Sequence, residues 1–213
     1  MVSRLRCFIG GILFCFFSSS FALHATENDD LVKAMMEVYA EELAANPQDY
    51  RTYYSRAMAY FGQGDMKKAL SDIDNAIKYF PRKEKDDLAQ AYLLRAKILS
   101  ERGETKSALT DLNSALRLVP NHRLALKDRG DLLCRLGQYD MAKIDYNHLL
   151  RMDTRSQSAF MGLARVEAHT GQPVRAKDLL AQAVNLSPKD PKIYLERSEI
   201  YKEMDMMPEA VDD

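Results

Sequence analysis

Small, aromatic and aliphatic residues return at fixed places every 34 residues over most of the chain. Ala69, Ala108, Ala142, Ala176 and Ala210 are separated by 39, 34, 34 and 34 residues, and a glycine precedes the first four by five residues, at Gly64, Gly103, Gly137 and Gly171. Asp205 holds the fifth of these places. With the periods counted from Tyr50, Ala89, Arg123, Gln157 and Pro191, position 4 is aromatic or Leu (Tyr53, Tyr92, Leu126, Phe160, Tyr194) and position 8 is small (Ala57, Ala96, Gly130, Ala164, Ser198). Position 24 is large (Ile73, Leu112, Tyr146, Leu180), and position 27 holds Ala76, Ala115, Leu149 and Ala183. Proline at position 32 closes three periods, at Pro81, Pro120 and Pro188, with Thr154 in the remaining one.

Each part of this pattern has a mechanical reading. Small residues at positions 8, 20 and 27 let two antiparallel helices touch, while the large ones at 4 and 24 fill the space between them. Glycine at position 15 breaks the first helix in a left-handed turn. Proline at 32 stops the second helix and disfavours helical geometry in the residue before it. Every period therefore predicts helix, turn, helix, turn.

These residues and spacings resemble the tetratricopeptide repeat. The resemblance implies an all-α fold, a right-handed α-solenoid of helix-turn-helix repeats. Four full repeats fall at 50–83, 89–122, 123–156 and 157–190, with 84–88 inserted after the first as a bulging loop or an added helical turn. A fifth, truncated repeat spans 191–213. Upstream, residues 27–49 read as an amphipathic helix and half repeat, since Pro47 stands 34 residues before Pro81.

Position 7 is Arg56, Arg95, Arg129 and Arg197 in four repeats, and position 23 in the same repeats is Asp72, Asp111, Asp145 and Asp213. In the remaining repeat both change together, to Leu163 and Leu179. A pair that is charged or apolar as a unit predicts that its two side chains meet between the repeat's own helices, because a lone buried charge costs several kcal/mol.

The N-terminus departs from the repeat. Arg4 and Arg6 are followed by an apolar run from Cys7 to Phe17, then Ser18, Ser19, Ser20, Ala22 and Ala25, which is the layout of a secretory signal peptide over residues 1–25 with cleavage between Ala22 and Ala25. The apolar run is shorter than the roughly 20 residues of a membrane span, so an uncleaved anchor is the lesser reading. The expected location is periplasmic or secreted.

Composition is that of an ordinary globular chain, 46% hydrophobic and 29% charged. Removing Arg4 and Arg6 from the 30 basic residues leaves 28 against 31 acidic ones, a balance that argues against a nucleic-acid or membrane-surface binder. Cys134 is the sole cysteine after the signal, so no intrachain disulfide is expected.

The family resemblance implies a concave surface lined by first helices through positions 2, 5, 9, 12 and 13. Those positions give an apolar end with Tyr54, Met58, Phe61 and Leu93, joined by Lys97 and Glu101, and a basic middle with Lys127, Asp131, Cys134, Arg135, Met161, Arg165 and His169. The expectation is a segment with an apolar anchor over Tyr54 and Phe61 and acidic groups near Lys127, Arg135 and Arg165. The family's carboxylate clamp does not match, since Tyr54 and Met58 stand where it has Lys and Asn.

Chemistry is sparse. Cys134 and His169 both map to the groove, but no oxyanion element accompanies them, and His122 and His148 lack metal-ligand spacing. The function expected is a binding scaffold for a protein or peptide partner, with no enzymatic activity, cofactor, metal or nucleic acid. An alternative is the sensory or assembly-directing N-terminal part of a longer protein. Self-association through the incomplete last repeat is a further expected partnership.

Overall fold

The computed structural model describes residues 24–205. The expected signal segment therefore lies almost wholly outside the described residues, as do Ala210 and Asp213. The chain divides into two compact units, residues 1–47 and 48–213. In the first, α1 spans His24–Ala45 and ends before Asn46 and Pro47, close to the expected helix.

The second unit is a run of helix pairs: α2 (Tyr50–Gly62) with α3 (Met66–Tyr79), α4 (Lys85–Glu101) with α5 (Thr105–Leu118), α6 (Arg123–Arg135) with α7 (Tyr139–Met152), and α8 (Gln157–His169) with α9 (Pro173–Leu186). Helix α10 (Pro191–Glu203) opens the fifth repeat. No strand occurs among the described residues. The architecture is a right-handed α-solenoid.

Local signals fix the helix ends. Asp49, Asp65 and Asp190 accept backbone amides of α2, α3 and α10 through their carboxylates, and His122 Nδ1 caps α6 in the same way. At the turns, Gly64, Gly103, Gly137 and Gly171 have φ of 71 to 79°. The next amide reaches back five residues, as from Asp65 to Tyr60 at 2.9 Å and from Gln172 to Glu167 at 2.8 Å, which satisfies carbonyls left open at the helix end. Asp205 takes the same left-handed geometry at φ 59° without the freedom of glycine.

The alanines of the pattern are the contact points between paired helices. Ala57, Ala69, Ala76, Ala108, Ala115, Ala142, Ala164, Ala176 and Ala183 are fully buried. Around them Ile73, Leu126, Leu180, Ile193 and Ile200 are sealed from solvent, each adding about 1.5–3 kcal/mol of hydrophobic stabilisation.

Of the two forms expected for the insertion, an added helical turn is the one present: residues 85–88 open α4, with Glu84 as its N-cap. Helix α4 starts at Lys85 and is 17 residues long, against 13 for α2, α6, α8 and α10. The extra turn is favoured by Asp86 and Asp87 at the positive end of the helix and by burial of Leu88. Just before it, Glu84 accepts a 2.6 Å hydrogen bond from the Tyr50 hydroxyl.

In the three pairs that lie within the described residues, the position 7 arginine grips the position 23 aspartate with two hydrogen bonds. Arg56 bonds Asp72 at 2.6 and 2.8 Å, Arg95 bonds Asp111 at 2.7 Å twice, and Arg129 bonds Asp145 at 2.8 and 2.6 Å. All three aspartates are buried. The third guanidinium nitrogen reaches back to the preceding repeat, from Arg95 to Asp74 and from Arg129 to Asn113, both at 2.8 Å. Arginine suits this place because its rigid fork satisfies a carboxylate on one side and leaves a donor for another helix. Leu163 is buried in the central core and Leu179 packs against the same cluster.

Candidate partner-binding groove

First helices pack on one another from repeat to repeat, α2 on α4, α6 on α8 and α8 on α10, whereas no two second helices pack comparably. The closer spacing on the first-helix side makes it the inner face of the unit. Helices α4 and α6 are not among the closely packed pairs, and between them a cleft of about 250 Å³ opens onto Ala108 and Leu112 of α5. A second, larger cleft of about 540 Å³ lies between α6, α8 and the middle of α10.

The apolar end is partly as expected. Met58 is exposed, Phe61 forms a wall of the α4–α6 cleft, and Tyr54 lines a third cleft with Tyr50 and Phe80. Leu93 corrects the expectation: at 3% exposure it belongs to the core, because position 5 sits at the seam between first helices, where an apolar side chain turns inward. Met161 is nearly as buried, at 4%, but still forms part of the lining of the second cleft. Cys134 is likewise buried, and burial pushes its thiol pKa up, so it is held as a small apolar residue. His169 stacks on Tyr139 and lies 3.2 Å from Glu203.

The expected basic middle is a mosaic of ion pairs. Lys127 Nζ donates to Asp131 at 2.6 Å, Arg165 lies 3.4 Å from Glu203, and Lys97 is 3.7 Å from Asp128. Arg135 donates to Ser100 Oγ at 2.8 Å. The acids come from the same first helix or from the next first helix along: Asp131 and Glu203 themselves hold groove positions, 9 and 13 of their repeats, while Asp128 at position 6 lies outside the five. Burial works against the Lys127 ammonium, but Asp131, Asp128 and Glu196 outweigh it and hold its pKa above the ordinary lysine value. Asp128 goes the other way: burial raises its carboxyl more than Lys97 and Lys127 lower it.

The groove floor between α6 and α8 is set by Tyr146, a residue that the periodic pattern marks only as large. Its ring is fully buried and crosses from α7 to the inner face, where its hydroxyl donates to Asp131 Oδ1 at 2.6 Å. With Lys127 on the other oxygen, Asp131 is held from both sides. Burial and the neighbouring Asp131 charge push the Tyr146 pKa far up, so the hydroxyl keeps its proton and remains a donor. The ring fits because Gly130 and Gly162 flank it: a Cβ on either would lie 2.8 or 2.3 Å from a ring carbon. The signal was present in the sequence as Gly130 in place of alanine at position 8 and Tyr146 in place of Ile or Leu at position 24, within one repeat.

Glu167 at position 11, where other repeats carry Tyr or Leu, is buried and locally paired, 2.7 Å from Lys143 and 3.7 Å from Arg175. Among the described residues no group of three His, Cys, Asp or Glu side chains is arranged to hold a metal. No described helix is long and apolar enough to cross a membrane.

Comparison with known proteins agrees with this geometry. No curated protein matches the chain. Among solved structures, a tetratricopeptide repeat protein from Parabacteroides merdae is 26% identical, with a TM-score of 0.75 over 88% of this chain and 72% of that one. MamA is 16% identical with a TM-score of 0.67, over 82% of this chain and 99% of its own. YrrB, described as a tetratricopeptide protein with an unusual peptide-binding site, is 18% identical with a TM-score of 0.62, over 82% of this chain and 91% of its own. At such identities MamA and YrrB speak for the fold alone. The Tetratricopeptide repeat family matches residues 36–87, 54–123 and 127–191, and with well over half of its length covered the chain belongs to that family.

Proposed function

We propose that the protein is an exported scaffold that holds a segment of a partner protein along the inner face of its repeats. The observation that carries this reading is the pair of open clefts on either side of α6, the first floored by apolar side chains and the second lined mainly by polar and charged ones, set in a frame of arginine–aspartate forks. Such concave, partly apolar sites with a few placed polar groups are suited to binding extended ligands. The fold it shares with YrrB, whose binding site takes peptides, supports the same use.

Affinity purification of the protein from its own cells, followed by mass spectrometry, tests the groove reading. The Lys127→Ala, Arg135→Ala, Arg165→Ala triple variant is expected to lose the captured partner by about tenfold or more. Capture at the wild-type level by the triple variant sinks the groove as its site.

Export rests on the charge and apolar layout of residues 1–25. N-terminal sequencing of the protein recovered outside the cytoplasm is expected to begin between Leu23 and Thr26. Recovery only from the cytosol with Met1 intact would remove that part of the proposal.

A further inference from the structure

Two buried side-chain polar atoms among the described residues lack a hydrogen-bond partner, Asp128 Oδ2 and Arg165 Nε. Both belong to the groove, one to each of the clefts that flank α6. Elsewhere in the unit the buried carboxylates of Asp72, Asp111, Asp145 and Glu167 are all met by donors. A buried polar group without a partner is costly, so the coincidence of both exceptions with the groove calls for a ligand.

Near neighbours do not supply what is missing. Lys97 Nζ stands 3.7 Å from Asp128 Oδ2, beyond hydrogen-bonding reach. Glu203 lies 3.4 Å from Arg165 Nε, close enough for attraction but without the alignment of a hydrogen bond. The needs are opposite in sign, a donor at Asp128 and an acceptor at Arg165. The surroundings match. Ala96, Ala108 and Leu112 floor the first cleft and Phe61 walls it, which suits the aliphatic stem and charged head of a long basic side chain. In the second cleft acids and bases are balanced, Asp131, Asp153, Glu196 and Glu199 against Arg123, Lys127, Arg155 and Arg165, and it is the unmatched Nε of Arg165, with Ser156 and Ser158 in the same lining, that suits a carboxylate. A polyanion such as a nucleic acid would meet Arg165 but bring like charge against Asp128.

Resting on the groove reading above, we propose that the bound segment is an extended peptide that places a lysine or arginine against Asp128 and an aspartate or glutamate against Arg165. Recognition is thus of a basic and an acidic side chain presented across α6, with Tyr146 and Lys127 holding Asp131 as the ridge between the two clefts.

An array of synthetic nonapeptides in an Ala/Ser/Leu background tests this, with one Lys or Arg and one Asp or Glu at every pair of positions and single-charge peptides as controls. The wild-type protein is expected to retain peptides of one dual-charge spacing about tenfold better than either single-charge set. Asp128→Asn should lose the preference for the basic residue and keep the acidic one, and Arg165→Gln should do the reverse. Asp178→Asn, exposed on the second helix α9 and outside both clefts, should change neither. Circular dichroism melts of each variant separate loss of recognition from loss of fold.

Retention of the wild-type preference by Asp128→Asn or Arg165→Gln overturns the proposal, as does an equal loss in Asp178→Asn, which would reduce it to general charge attraction. If the wild-type protein binds partners in cells yet selects no dual-charge spacing, this inference falls while the groove reading stands. If it binds neither peptides nor partners, both fall.

Discussion

At the scale of single residues, Tyr146 decides the shape of the groove floor. A residue that reads as one more large filler carries its ring through the gap left by two glycines and ends on a carboxylate of the opposite face. Close packing makes such an arrangement sensitive to one carbon atom. Gly162→Ala is expected to destabilise the unit by about 1–3 kcal/mol, since the new Cβ forces the ring out of place. In a Tyr146→Leu background, where the shorter side chain leaves room, the same change should cost much less. Urea unfolding of the two single variants and the double variant checks this, and a Gly162→Ala cost that is the same in both backgrounds would refute the wedge. Exchange of small for large was visible in the sequence. That the ring would reach Asp131 was not, because it depends on how far α6 and α8 stand apart.

At the scale of the element, the arginine–aspartate fork shows what covariation within a repeat can reveal. The switch from Arg and Asp to Leu163 and Leu179 in one repeat implied contact between positions 7 and 23, and the forks of Arg56, Arg95 and Arg129 supply it. Arg129→Leu alone leaves the Asp145 carboxylate buried and unpaired, which should cost about 3–5 kcal/mol. Arg129→Leu with Asp145→Leu, copying the fourth repeat, is expected to return to within about 1–2 kcal/mol of the wild-type protein. Chemical denaturation in a double-mutant cycle measures both, and additive costs would mean that the pair does not act as a unit. The second grip of each arginine, on Asp74 or Asn113 of the repeat before, was not legible, because it joins residues 21 and 16 positions apart whose meeting depends on how neighbouring repeats are stacked.

At the scale of the whole unit, three buried clusters follow one another along the repeats, joined by partly buried side chains such as Tyr92 and Leu179, and Cys134 sits within the central one as a built-in reporter. Buried, with its pKa pushed up and its sulfur 3.9 Å from the Tyr146 hydroxyl, it should resist iodoacetamide in the native protein. Labelling is expected to follow unfolding, rising with urea in step with loss of helix. Rapid labelling without denaturant would show that the groove floor opens in the native state.

The sequence by itself determined the repeat, its turns, its paired helices and the arginine–aspartate contacts, because each follows from periodic spacing and from the cost of burying a lone charge. Only the tertiary structure decided that residues 85–88 add a helical turn rather than a loop, that Leu93 faces the core, that the groove's cations are answered by neighbouring acids, and that Asp128 and Arg165 are left incompletely paired. These outcomes depend on distances between helices that are remote in sequence, and a 34-residue period carries no measure of those distances.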